Sequence, residues 1–148
     1  VDIGGTMPSG YCSDSTRVYA FDPPPPPVQR QYDVLQQAQE AAVCAVAPGV
    51  SAESVDAAAR TVIAAAGFGD LFVHRTGHGI GVETHEHPYV VAGNTRPLAP
   101  GMVFSVEPGI YDPGSHGARI EDIVTVTDTG VRRLNHRPHS LVVLDGRP

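Results

Sequence analysis

The spacing of hydrophobic positions changes period twice along this chain. Residues 1–20 mix apolar and polar positions in short strand-like runs around Met7-Pro8-Ser9-Gly10. Those are turn residues, so a hairpin is predicted that sets Asp2 and Asp14 on paired strands. The period then becomes helical. Val28, Tyr32, Leu35, Ala38, Ala42 and Ala45 recur at three- and four-residue steps until Pro48-Gly49 ends the run. Ser51 is placed to cap a second helix, with Val55, Ala59, Val62 and Ala66 as its buried stripe and Gly67 as its stop. Neither helix shows clustered polar chemistry, and both are expected to cover a sheet.

From Leu71 onward the pattern is strand-like, with residues 71–75 leading into a glycine–histidine stretch. Residues 102–107 form one predicted strand, with Val103, Ser105 and Glu107 on one face, ended by Pro108-Gly109. Residues 119–126 form another. Arg119, Glu121 and Ile123 share one of its faces, and Ile120, Asp122, Val124 and Val126 the other. Asp128-Thr129-Gly130 turns into a strand over 131–134, and 141–144 closes the chain. Strands, then helices, then strands predict an α+β domain. The five prolines at 23–27 read as a stiff connector into the first helix, where Pro27 suits the first turn, rather than as a polyproline ligand.

Composition narrows the function classes. With 148 residues, 41% of them hydrophobic, the chain has room for one globular domain. No apolar run approaches the roughly 20 residues of a membrane span. A net charge of −6 counts against nucleic acid as the partner, and ten arginines with no lysine exclude a phosphate-binding P-loop. Cys12 and Cys44 are too few for a disulfide framework and are expected to be buried thiols of a cytoplasmic protein. The chain opens on Val1 inside an apparent strand, which predicts the C-terminal part of something longer.

The candidate chemistry centres on Thr76-Gly77-His78-Gly79-Ile80-Gly81, followed by His85. Alternate glycines let the backbone run close to its neighbours around His78. Glu107 and Glu121 sit in Val- and Ile-rich strands, where a carboxylate is costly unless paired or coordinated. Arg119, on the face of Glu121, can orient it but cannot neutralise four acids. One imidazole among Asp2, Asp14, Glu107 and Glu121 therefore points to a two-metal hydrolytic site. Four oxygens and one nitrogen suit Mn²⁺, Co²⁺ or Zn²⁺. His74 and His85 lie nearby in sequence. His87, His116, His136 and His139 are expected to be loop residues. The glycines do not fit G-x-G-x-x-G, His85-Glu86-His87 is not H-E-x-x-H, and G-x-S-x-G is absent.

The ordered set resembles a known family. Asp2-Ile3-Gly4 and Tyr11-Cys12-Ser13-Asp14-Ser15-Thr16-Arg17 are followed by Gly77-His78-Gly79-Ile80-Gly81 with His85-Glu86. Val106-Glu107-Pro108-Gly109 and Arg119-Ile120-Glu121-Asp122 complete it. Together they are similar to the pita-bread metallopeptidases: Xaa-Pro dipeptidase, aminopeptidase P and methionine aminopeptidase. The resemblance implies a pita-bread fold and one catalytic domain over 1–148, incomplete on its N-terminal side. It implies two divalent ions held by Asp2, Asp14, His78, Glu107 and Glu121, with Asp14 and Glu121 bridging. It further implies attack by a metal-bridging hydroxide, with Glu107 as proton shuttle and His85 stabilising the tetrahedral intermediate. His74 matches a further active-site histidine, and Arg119 an arginine that steers the carboxylates.

Val-Glu-Pro-Gly-Ile-Tyr and Arg-Ile-Glu-Asp resemble the proline-peptide branch, which implies short proline-containing peptides as substrates. The resemblance does not separate dipeptidase from aminopeptidase P, and it leaves homodimerisation open. Methionine aminopeptidase activity and a non-catalytic binding module are the alternatives. Two departures stand out. The Asp2-to-Asp14 interval is one residue longer than usual, with the extra residue expected in the hairpin turn. A substrate-facing histidine expected upstream of Asp2 is not in the chain, and a fraying first strand would loosen Asp2.

Overall fold

The computed structural model describes residues 1–144. β1 (Asp2–Thr6) and β2 (Cys12–Thr16) form the predicted antiparallel hairpin, paired without interruption from Asp2 opposite Thr16 to Thr6 opposite Cys12. Gly4 lies opposite Asp14, so the two-residue alternation puts Asp2 and Asp14 on the same side of the ladder. The turn is closed by the Met7 amide on the Tyr11 carbonyl (2.8 Å), with Gly10 at φ 89°.

After β3 (Tyr19–Ala20) the chain enters α1 (Pro26–Cys44) and then α2 (Ala52–Ala65). Pro26 and Pro27 form the first turn of α1, so the proline run is a connector that flows into a helix. Ser51 stands at the start of α2 but does not cap it with its side chain. Its hydroxyl instead meets Ser54 Oγ at 2.8 Å. The free amides of Ala52 and Glu53 donate to the carbonyls of Arg96 and Asn94, so a distant loop supplies the cap. The α2 stripe also turns slightly from its predicted position: Ile63 is fully buried and Val62 only partly.

The 3-10 turn Gly69–Leu71 precedes β4 (Gly77–Gly79), β5 (Glu86–Val90) and β6 (Val103–Val106). Next come β7 (Gly109–Asp112), β8 (His116–Arg119), β9 (Asp122–Val126), β10 (Val131–Arg133) and β11 (Val142–Val143). An antiparallel five-stranded sheet runs in the order β10-β9-β6-β4-β5. The two helices cover one face. Leu35, Ala38 and Ala42 of α1 and Val55, Ala59 and Ile63 of α2 share a core with Val90, Phe104, Val106, Val124 and Val126. Alternation along β6 then sends Ser105 and Glu107 to the opposite, open face.

The predicted strand 119–126 is two strands. β8 pairs with β7 in a separate hairpin, and β9 begins only at Asp122. Between them the chain changes partner: the Ile120 amide donates to Pro108 and the Glu121 amide to Thr16 of β2. Pro108-Gly109 does end β6, as expected, but Gly109 also starts a strand that the sequence did not signal. Residues 72–76 are irregular rather than extended. Cys12 is half-buried and Cys44 exposed, contrary to the expected pair of buried thiols. Cys44 sits on the outer side of α1 between the buried Val43 and Val46 and the half-buried Ala45. No helix among the described residues is long and apolar enough to cross a membrane.

The helices are not chemically bland. Asp56 of α2 is 1% exposed, and its carboxylate accepts from the Thr76 amide (3.2 Å) and hydroxyl (2.7 Å) and from Arg60 (2.6 Å). It thereby anchors the segment that carries His78. Asp56→Ala leaves the buried Thr76 hydroxyl without its acceptor, while the Thr76 amide keeps the Val90 carbonyl at 2.9 Å, and should cost about 1–3 kcal/mol. Urea unfolding checks this, and a loss under about 0.5 kcal/mol would contradict the role given to Asp56.

Candidate metal centre and cleft

β4 is clamped between β5 and β6, which explains the glycines beside His78. A Cβ at Gly77 would overlap the Ser105 carbonyl, and one at Gly79 the His87 carbonyl. The close approach they permit is to neighbouring strands. The result holds His78 3% exposed, with its amide donating to Ser105 Oγ at 3.0 Å. The His78 ring offers Nδ1 to the Gly79 carbonyl at 3.0 Å. A carbonyl only accepts, so Nδ1 carries the proton and Nε2 faces the carboxylates.

Three of the predicted ligands converge directly: Asp14, His78 and Glu121 have ligand atoms all within 4.8 Å of one another. Each comes from a different element, namely β2, β4 and the partner-switching step before β9. Glu107 joins them through His78, its Oε1 lying 3.1 Å from Nε2. Asp2 is the outlying member. Its side chain is 53% exposed, and it is tied in through Arg119 Nη1, 3.3 Å from Asp2 Oδ2 and 3.0 Å from Glu107 Oε2. Arg119 thus steers Asp2 and Glu107 rather than Glu121, the acid it was expected to orient. Its Nε donates to the Tyr111 hydroxyl at 3.0 Å, which fixes the guanidinium.

The charge balance of the cluster is uneven. Glu121, 1% exposed, is pushed up to about 8 by burial, against the Thr16 hydroxyl bond, with Glu107, Asp14 and Asp2 adding repulsion. Asp14 is raised by burial and by the charges of Asp2 and Glu107. Burial would also raise Glu107, but hydrogen bonds from His78 and Ser105 and the charge of Arg119 hold it below the usual carboxylate range. Burial pulls His78 down, yet its bonds to Glu107 and the Gly79 carbonyl leave it raised. Burial and mutual repulsion thus oppose ionisation of Glu121 and Asp14, while His78 and Glu107 favour each other's charged forms. Four carboxylates and one imidazole whose Nδ1 is already committed fit hard to borderline divalent ions.

Beside this cluster a cleft of about 400 Å³ is lined by His74, Arg75, His78, His85, Glu107 and Arg119. His85 is exposed, its ring centroid 4.1 Å from that of His78. His74 donates Nδ1–H to the Arg75 carbonyl (2.7 Å), while its buried Nε2 has no hydrogen-bond partner. Burial lowers its pKa, so the ring is neutral and Nε2 is a bare acceptor.

Several working residues lay outside the sequence reading. Thr16 Oγ1 donates to Glu121 Oε2 at 2.6 Å, and Ser105 Oγ to Glu107 Oε1 at 2.8 Å. Strand alternation had already put Ser105 on the face of Glu107, and the same two-residue step from Asp14 was a signal that could have found Thr16. Of the four histidines expected in loops, His87 lies in β5 and His116 in β8, while His139 Nε2 sits 2.7 Å from Asp122 Oδ2.

The sequence pattern of metallopeptidase family M24 matches residues 1–128. The probable dipeptidase PepE of Mycobacterium tuberculosis is 60% identical over 97% of this chain and 38% of its own length. The Xaa-Pro dipeptidase of Lactobacillus helveticus is 46% identical over 95% of this chain and 38% of its own. The crystal structure of dipeptidase PepE from Mycobacterium ulcerans superimposes with a TM-score of 0.95 at 63% identity, covering 96% of this chain and 38% of that one. The chain therefore spans about two fifths of the length of these relatives. A match through every strand that carries a predicted ligand means that this chain belongs to metallopeptidase family M24 and has the pita-bread fold.

Proposed function

We propose that this chain forms the di-metal centre of a peptidase that cleaves Xaa-Pro bonds in dipeptides. The observation that carries the reading is the convergence of Asp14, His78 and Glu121 from three elements onto one point, with Glu107 joined to it through His78 and Asp2 linked to Glu107 by Arg119. The names of the relatives, probable dipeptidase and Xaa-Pro dipeptidase, support the substrate class. Asp2, Asp14, His78, Glu107 and Glu121 would hold the two ions. When bound, two such cations supply Lewis-acid activation of the peptide carbonyl and of the attacking water.

The other roles belong to this chain's own groups. Glu107 is held ionised and can take a proton from the attacking water and pass it to the departing amine. His85 lies at the cleft beside His78, placed to donate to the oxyanion that develops on the carbonyl. His74 can accept a hydrogen bond at Nε2 from a bound peptide. Arg119 holds Asp2 and Glu107 in register.

Hydrolysis of Ala-Pro and of Met-Ala by the Mn²⁺-loaded chain tests the proposal. Cleavage of Ala-Pro well above Met-Ala, lost at least about 10³-fold in Glu121→Ala, is expected. Preference for Met-Ala would select the methionine aminopeptidase reading, and turnover unaffected by Glu121→Ala would overturn the assignment.

A pH dependence follows from the metal-free cluster. Folded Glu121 titrates at about 8 against an ordinary 4.5, so the folded chain binds more protons than the unfolded one between those values. Its contribution to stability therefore falls as pH rises from about 4.5 to about 8. His78, also raised, acts in the same direction above its ordinary 6.5. A cation must displace the Glu121 proton, so Mn²⁺ affinity should rise from pH 6 to pH 8. Calorimetry in buffers of different ionisation enthalpy should record proton release on binding. Affinity independent of pH, with no proton release, would contradict the raised carboxyl.

A further inference from the structure

The chain after β10 is tied by hydrogen bonds to the strands that carry Asp14 and Glu121. Asn135 Nδ2 donates to the Asp14 carbonyl at 2.9 Å, and its Oδ1 accepts from the Ile123 amide at 2.7 Å. One side chain thus spans the strand of Asp14 and the strand that follows Glu121. Four residues later, His139 Nε2 reaches Asp122 Oδ2 at 2.7 Å, and its carbonyl is held by Tyr32 Oη (2.6 Å) and Gln36 Nε2 (3.0 Å) of α1.

Between these anchors lies Arg17, 5% exposed. Its Nη1 donates to the carbonyls of Thr16 (2.9 Å) and Glu121 (2.7 Å), its Nη2 to Asp122 Oδ1 (2.6 Å) and the Arg137 carbonyl (2.9 Å), and its Nε to the Pro138 carbonyl (3.0 Å). All five guanidinium contacts join β2, the Glu121–Asp122 step and the segment 137–138. Asp122 is wholly buried on the helix-facing side of β9, forms an ion pair with Arg133 Nε at 3.2 Å and accepts from Gln39 Nε2 at 3.4 Å. Its charge is balanced away from the cluster, so it adds no direct contact to the ligand set.

We propose that residues 135–139 are a positioning strap that, through Asn135, Arg17 and Asp122, fixes the spacing of Asp14 and Glu121. The inference rests on the reading of those two carboxylates as metal ligands. Among the described residues, β2 meets the Glu121 step in one isolated backbone bridge, Thr16 to Glu121, and a single bridge resists shear weakly. The strap supplies the lateral contacts that the bridge lacks. The family match ends at residue 128, so the strap lies outside the matched segment. None of its residues lines the cleft, which makes them positioning residues rather than catalytic ones.

The test compares Asn135→Ala and His139→Ala with Ile63→Val, a core truncation under α2 that leaves the strap intact. Mn²⁺ titration of the chelator-stripped chain by calorimetry, at pH 8, reads affinity directly. Asn135→Ala is expected to weaken Mn²⁺ binding about 10–100-fold and His139→Ala in the same direction, while Ile63→Val binds as the unsubstituted chain does. Hydrogen exchange of the metal-free protein supplies a second readout: amide protection at Glu121 should fall in Asn135→Ala and hold in Ile63→Val. Unchanged affinity and protection in both strap variants would overturn the strap alone. Failure of the unsubstituted chain to take up Mn²⁺ would overturn the metal-centre reading, and the strap with it.

Discussion

Packing Asp14, Glu107 and Glu121 around one imidazole places like charges within a few ångströms of one another where little water reaches them. Repulsion and desolvation both oppose the ionised state, and the protein answers them unequally. Glu107 receives His78, Ser105 and Arg119. Glu121 receives one hydroxyl and keeps a proton to about 8. Carboxylates whose ionisation is opposed in this way gain by meeting a cation. Much of the surrounding structure works to hold these acids together against that repulsion.

The sheet divides the labour between its faces. One face is an ordinary apolar core under two helices, in which the alternating residues of β6 and β9 are buried. The other presents Ser105, Glu107 and, from the step before β9, Glu121. Asp122 interrupts this division, since it lies among core residues and is ionised there. Arg17, His139, Arg133 and Gln39 surround it, and burial alone would otherwise have raised it. That buried acid ties β9 to α1 through Gln39 and to the segment after β10 through His139.

The sequence made much of this legible. Turn residues at Met7 to Gly10 were enough to set Asp2 and Asp14 on paired strands, and two-residue alternation was enough to put Ser105 with Glu107 on one face and Glu121 on the face opposite Asp122. Local pattern could not show where a strand changes partner. The 119–126 run alternates without a break, yet its pairing passes from β7 to β2 at Glu121 because hydrogen-bond partners, not hydrophobicity, decide that step. Nor could it show which donor meets which acid. Arg119 shares a face with Glu121 but reaches Glu107 and Asp2, and His139 finds Asp122 from 17 residues away. Ser51 had the right identity for a cap, but loop carbonyls from Asn94 and Arg96 had already taken the free amides.

The central claim is that five side chains from separate elements form one site for two cations. Counting Mn²⁺ bound per chain, on stripped protein and on Glu121→Ala, tests it most directly. Two ions per chain, reduced to one or none by the substitution, is the predicted result. No bound ion, or a count that Glu121→Ala leaves unchanged, would contradict it.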